Sequence, residues 1–305
     1  MSATMSAAPR QALLRTAARL AFGIAALGSA PLTAQSRGAV AVDTVTVTQR
    51  VLVAGDVTPA EAKRQAIERA LAEAVRRVSG VRVQATQLGV GEDRNGRVRD
   101  SFLSVVQLDA SGRATDYRVL DERFVNERHP ALGAQLYFEL RALVTVASEH
   151  GTSDPGFTVA MSLNDALFFD MGASLERNDE VIATITSSQP AWLTVFGVTG
   201  DSAQLLLPNA FMTDGHVTAG RSVELPPREW RDRGVHFRAS LPPQEKSRHE
   251  LIVAVATRSP VAFPPSPSND GAAASFPWMA VQRWLVTIPL DQRAMAFAAY
   301  EVRRK

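Results

Sequence analysis

The side chains able to do chemistry are few and scattered along the chain. There are five histidines, His129, His150, His216, His236 and His249, and no cysteine. Without Cys the chain can form no disulfide, hold no thiolate-bound metal and offer no sulfur nucleophile. No two histidines stand at His-x-His or His-x-x-His spacing, and His-Glu-x-x-His is absent, so local spacing predicts no zinc site. A serine nucleophile on a strained turn would carry Gly-x-Ser-x-Gly, which does not occur. Gly89-Val90-Gly91 lacks the third glycine of a phosphate-cradling loop, and no Walker sequence is present. No catalytic residue, metal ligand or cofactor is expected.

The densest polar cluster is Asn209-Ala210-Phe211-Met212-Thr213-Asp214-Gly215-His216. As a binding loop it would present Asn209, Asp214 and His216 to a partner or ion. As a turn it needs the same residues, because Asn and Asp bond to nearby backbone and Gly215 allows unusual dihedrals. The turn is the expectation. Asn178-Asp179-Glu180 has the same two readings and too few spaced oxygens for calcium. Trp192 and Phe196 share one face of a predicted strand and are expected in the core. Trp278, beside Pro277, is the aromatic that would serve a ligand or partner if exposed; core packing is the expectation for it and for Trp284.

These residues need elements to hold them. Ala39–Ala54 alternates Val with Asp, Thr, Gln and Arg, the period of a strand. A helix is predicted over Pro59–Ser79. Thr58 stands at its N-cap, Pro59 at the first helical position, Glu61 three residues after the cap, Arg76 and Arg77 in the last turn, and Gly80 just beyond. Ala62, Ala66, Ala70, Ala74 and Val78 form a stripe narrow enough for close approach to a sheet. A membrane-surface helix is the alternative, which leaves peripheral membrane association open. Val81–Leu88 and the Gly- and charge-rich stretch 89–96 follow, then Ser101–Leu108 as a strand or short helix and a turn at Ser111-Gly112. Thr115–Asn126 and Gln135–Val146 read as a long hairpin whose apolar face takes the helix.

Glu149–Gly156 is polar and marks the expected boundary. Beyond it short strands recur at Phe157–Leu163, Val181–Ser187, Ala191–Val198, Ala203–Leu207, Arg221–Leu225, Val235–Leu241 and Leu251–Ala256, with a polar turn at Ser174–Glu180 and a tight hairpin at Thr199-Gly200-Asp201-Ser202. Phe263–Ser275 reads as an extended loop, Pro277–Val286 as a helix, and Ala294–Val302 as a returning strand.

Residues 1–34 carry Arg10, Arg15 and Arg19 but no acid, then the apolar stretch Leu20–Leu27, then small residues ending in Thr33-Ala34. That order predicts a secretory signal cleaved after Ala34. The apolar core is far short of the roughly 20 residues that span a bilayer. With no Cys after it, a lipid anchor is not expected, and no paired arginines signal the twin-Arg route. The whole chain has 33 basic and 31 acidic residues; removing three Arg leaves 30 against 31, a net charge of −1. No basic face of a nucleic-acid binder is evident, and 46% hydrophobic residues supply material for packed cores.

Two resemblances rest on ordered blocks of residues. Gly55, Glu61-Ala62, the Ala-rich helix, Val78-Ser79-Gly80-Val81, Ser111-Gly112, Tyr117-Arg118-Val119-Leu120 and Leu136-Tyr137-Phe138-Glu139-Leu140-Arg141-Ala142 resemble the N-terminal domain of the flagellar assembly protein T family and related small envelope lipoproteins. This covers about a third of the chain and implies an envelope assembly part. Residues 156–263 resemble the domain-of-unknown-function family 4384 through five blocks in the same order. They are Ala191-Trp192-Leu193-Thr194-Val195-Phe196-Gly197-Val198, Gln204-Leu205-Leu206-Leu207-Pro208-Asn209, Val217-Thr218-Ala219-Gly220, Val223-Glu224-Leu225-Pro226 and Leu251-Ile252-Val253-Ala254-Val255-Ala256-Thr257. That likeness implies an exported or surface accessory domain. Neither brings a catalytic residue.

The expectation is therefore an α+β protein: a signal peptide at 1–34, a helix-on-sheet domain at 35–150, a β-sandwich-like antiparallel domain at 151–263, and a linker with a C-terminal helix and strand at 264–305. The expected function is non-catalytic binding or scaffolding in the periplasm or envelope, with an envelope protein as partner and no nucleic acid. The alternatives are a glycan- or polymer-binding module and a hydrolase with a site assembled from distant residues.

Overall fold

The computed structural model describes residues 40–54, 57–79, 112–131, 133–164, 167–170, 172, 174, 177–209, 212–263 and 275–304. The predicted signal at 1–34, Gly80, the segments Val81–Leu88, 89–96 and Ser101–Leu108, and all but the ends of the Phe263–Ser275 loop lie outside the described residues.

Strand β1 (Val42–Val53) leads into helix α1 (Pro59–Ser79), and the long strands β2 (Gly112–His129) and β3 (Gly133–Ser148) follow. They form an antiparallel sheet in the order β1-β3-β2. The Glu61 amide donates to the Thr58 hydroxyl at 3.2 Å, so the predicted N-cap is formed. The alanine stripe sets the packing. Ala62, Ala66, Ala70 and Ala74 are buried against Val47 and Val51 of β1 and against Phe138, Leu140, Ala142 and Val144 of β3. Alternate residues of all three strands face the helix, as a half-covered sheet requires.

The remaining strands are β4 (Val159–Leu163), β5 (Leu167–Asp170), β6 (Ala183–Ser187), β7 (Ala191–Thr199), β8 (Ser202–Leu207), β9 (His216–Val217) and β10 (Ser222–Leu225). The one-turn helix α2 (Arg228–Arg231) follows, then β11 (Ser247–Thr257), β12 (Ser275–Pro277), helix α3 (Trp278–Leu285) and β13 (Arg293–Arg304). A small antiparallel sheet, β10-β6-β4, lies on a larger one in the order β12-β8-β7-β11-β13-β5, with β9 pairing β7. The β7–β8 hairpin turns on Gly200, whose φ of +60° supplies the left-handed backbone that a two-residue turn needs.

The central strands are buried on both faces. Leu193 and Val195 of β7, with Ile252 and Ala254 of β11, face the small sheet. Phe196 and Val198, with Leu251, Val253 and Val255, face α3, where Trp278, Val281, Trp284 and Leu285 cover them. The segment thus holds a sandwich on one side and a helix layer on the other. The predicted strand Val235–Leu241 is a correction. It makes a single bridge, between Glu180 and Arg238, and its other backbone partners are not a ladder. Phe237 accepts from the Val181 amide, the Ala239 amide donates to Asp179, and the Leu241 amide donates to the Asp170 carboxylate. Phe237, Ala239 and Leu241 do enter the core alternately, so the period was genuine while the paired strand was not. Strand β5, parallel to β13, carries no such period and was not predicted.

The alanine stripe yields a direct test. Ala66→Leu puts a bulky side chain where Ala66 has no exposure, and should destabilise the fold by about 1–3 kcal/mol in urea unfolding. Arg64→Leu, on the open side of the same helix, should change stability by less than about 0.5 kcal/mol.

Candidate functional site

The residues singled out from sequence fall into separate places. Asn209 closes its own loop: its side-chain oxygen accepts from the Met212 amide at 3.0 Å and its amide nitrogen donates to the Leu206 carbonyl at 2.8 Å. Asp214 accepts from the His216 amide at 2.9 Å, an Asx turn. Gly215 presses on β7, where an added Cβ would meet the Leu193 carbonyl oxygen at 2.4 Å. Only a glycine fits there, which explains the loop's composition without a ligand. His216 is exposed and meets the edge of Trp192, with ring centroids 5.0 Å apart. Trp278 is 4% exposed and packs between α3 and the large sheet, so it forms no surface platform. Asp179 accepts from the Phe169 amide and Glu180 pairs with His236, so that acidic run also serves the local fold.

Sequence reasoning missed the strongest electrostatic feature. Glu149, directly after β3, has a side chain only 3% exposed and pairs with two arginines, Arg113 of β2 and Arg293 of β13. Arg113 also donates to the Gln282 side chain of α3 at 3.0 Å, and Arg293 donates to the Leu285 and Ile288 carbonyls. One carboxylate thus ties the helix-on-sheet part to α3 and to the large sheet. Burial pulls the Arg293 guanidinium down to about 10; the Glu149 charge opposes that and the Arg113 charge adds to it. Around this centre Arg283 donates to the Thr115 carbonyl, the Leu290 amide to the His150 carbonyl, and Arg258 pairs with Asp154. A cavity of about 20 Å³ beside Arg113, walled by Leu71, Val75, Gly112, Ala114, Met279 and Gln282, has room for about one water. Among the described residues no three His, Asp or Glu side chains converge to hold a metal ion.

A second, half-buried pair lies across β11 and β13. Tyr300 donates to Glu250 at 2.7 Å. Burial pushes the Glu250 carboxyl up, opposed by that hydrogen bond, and burial with the Glu250 charge pushes the Tyr300 phenol well above its ordinary value.

What remains for recognition is the three-stranded sheet. Its far side, away from α1, is open and mixed: Thr44, Thr46, Thr48 and Arg50 of β1, Tyr137, Glu139 and Arg141 of β3, Arg118 and Arg123 of β2. Arg50 stacks on Tyr137 at 3.9 Å and pairs with Glu127 and Glu139. Beyond Leu136, the partner of Val53, the β2–β3 hairpin runs on as two strands. Near its base Leu120 and Phe124 are 40% and 50% exposed.

Residues 174–260 match the model of the family described as Domain of unknown function (DUF4384). The match covers less than a third of the chain and runs from the segment before β6 to just past β11. The DUF4384 segment is not closed by itself. Its β6 pairs with β4 and its β11 with β13, both outside the match. Two cis peptide bonds, Leu207–Pro208 and Leu225–Pro226, lie inside it. No curated protein matches the chain. Among the described residues no helix is long and apolar enough to cross a membrane.

Two measurements test the electrostatics. Glu149→Gln leaves two buried guanidinium groups without their counter-charge, and should cost about 3–5 kcal/mol in urea unfolding; a loss under about 1 kcal/mol would show the pairing to be dispensable. For Glu250 the folded carboxyl is raised, so its stabilising contribution is present at acid pH and lost as pH rises through the folded value. Glu250→Gln keeps an acceptor for Tyr300 and removes that loss. Its melting temperature should exceed that of the wild type at about pH 8 and by a smaller margin, or not at all, at about pH 4.

Proposed function

We propose that this chain is an exported, envelope-associated protein that binds and positions partners without making or breaking bonds. The observation that carries the reading is the open face and overhanging hairpin of the three-stranded sheet, held rigidly on the β-sandwich by the Glu149 seam. Along β2, exposed Leu120 and Phe124, the latter on the α1 side of the sheet against Phe138, offer apolar anchors inside a charged surround, the composition of a protein-binding edge. The likeness of residues 42–148 to the flagellar assembly protein T N-terminal domain supports an assembly role. The leader at 1–34 supports export to the periplasm or envelope. The side chains of Asn209 and Asp214 are spent on their own loop, which favours surface recognition over an active site there.

In-cell photo-crosslinking tests this. A crosslinking residue placed at Phe124 should capture one reproducible envelope protein, and Leu120→Asp should reduce that capture several-fold with the fold intact. A fractionation that leaves the protein in the cytoplasm, or crosslinks no richer at Phe124 than at an exposed sandwich position such as Glu229, would overturn the reading.

A further inference from the structure

We propose that β1 is a self-pairing edge. Two copies of the chain join β1 to β1 antiparallel about a two-fold axis at Val47, making one continuous six-stranded sheet. This goes beyond the partner-binding reading and does not depend on it.

The backbone fixes which groups are free. Ser148 donates to the Ala41 carbonyl, and β1 pairs β3 from Val42–Ala147 to Val53–Leu136 without a register shift. Odd-numbered residues of β1 therefore spend their N–H and C=O groups on β3, and even-numbered ones turn both outward. The Thr46 carbonyl confirms the direction, since it accepts a 3.5 Å contact from the exposed Arg77 outside the ladder. Among the described residues, Thr44, Thr48, Arg50 and Leu52 thus present backbone groups outside any ladder, and the Thr46 carbonyl meets only the exposed Arg77 side chain, which must swing aside for a second strand to pair there.

The two edges of this sheet are treated differently. β2 has register shifts at Ala114/Asp116 and Val119/Asp121, and carries Asp121, Glu122, Arg123, Glu127 and Arg128. Bulges and charges are the usual protection against unwanted strand addition. β1 has neither a bulge nor a proline, and its only charges are Asp43 and Arg50. Its Val-Thr alternation is strongly β-forming.

A second copy fits this edge because the strand is complementary to itself. Outward residues must pair with outward residues, so even numbers oppose even numbers. With the axis at Val47, Thr46 faces Thr48 of the second copy, Thr44 faces Arg50, and Val42 faces Leu52. Val42 and Leu52 are 57% and 38% exposed, and are two of the four exposed large apolar side chains among the described residues. They lie equally far from Val47 and cover each other in this register alone. Asp43 falls opposite Val51, so no like charges meet. Arg50 is already balanced within its own chain by Glu127 and Glu139. Threonine pairs across strands add to the match.

The test is sedimentation equilibrium of the purified protein over a concentration series reaching the hundred-micromolar range. The wild type should dimerise. Thr46→Pro removes an N–H that β3 does not use, and should leave a folded monomer by circular dichroism. Leu52→Lys should weaken dimerisation at least tenfold. Because the chain has no Cys, a Thr46→Cys, Thr48→Cys double variant reports the register. Oxidised by air with a copper catalyst, it should give an interchain 46–48 disulfide identified by mass spectrometry, since opposed hydrogen-bonded residues lie about 5.5 Å apart. A wild type that stays monomeric throughout, or a dimer that survives Thr46→Pro and forms no 46–48 link, would overturn the proposal. Leu120→Asp should leave self-association unchanged, which separates this result from the partner-binding test.

Discussion

A carboxylate leaves water only where cations replace the lost hydration, and Glu149 meets two of them. Much of the structure is arranged around that exchange. Arg113 comes from the strand that packs under α1, Arg293 from the first residue of the last strand, and Gln282 from α3. Each is placed by a different element, so the pairing forms only when all of them are docked. The set carries two positive charges against one negative, and the backbone carbonyls at Leu285 and Ile288 accept from Arg293 Nη1. The junction is therefore specific in geometry as well as apolar in its surroundings.

This junction changes what the C-terminal residues are for. β13 lies between β11 and the edge strand β5 of the large sheet, and α3 covers that sheet's second face while touching β2. Met279 packs against both the α1 core and the α3 core. The DUF4384 segment supplies the hairpin and the central strand, but chain on either side of it completes both sheets. A binding surface on the three-stranded sheet would consequently be held in fixed relation to the sandwich.

The helix-covered sheet also divides labour between its edges. β2 is bent by bulges and studded with charge, whereas β1 is straight and nearly neutral. Edges left so regular are uncommon in isolated domains, because they recruit other strands. The same sheet offers an apolar rim at Leu120 and Phe124, close to the hairpin that outruns β1. Assembly at one edge and recognition at the other are compatible, since the two lie on opposite sides of β3.

Local chemistry determined most of the elements. The Thr58 cap and the Ala62-to-Val78 stripe specify α1 to the residue, and strict alternation in β3 assigns its two faces. Gly200-Asp201 specifies the tight hairpin, and the turn chemistry of Asn209, Asp214 and Gly215 was readable because those bonds run between near neighbours. Tertiary structure decided everything that depends on distant partners. Glu149 looked like the first residue of a polar boundary, because one charged letter does not reveal that arginines 36 and 144 positions away will surround it. The Val235–Leu241 period was correctly apolar, yet pairing is a property of two segments, and its neighbours were a loop and the Asp170 carboxylate. Trp278 could have faced either way until α3 closed over the sheet. The unbroken apolar run Leu251–Ala256 hinted that β11 is buried on both faces, but which layer lies on each face is set only by the folded chain.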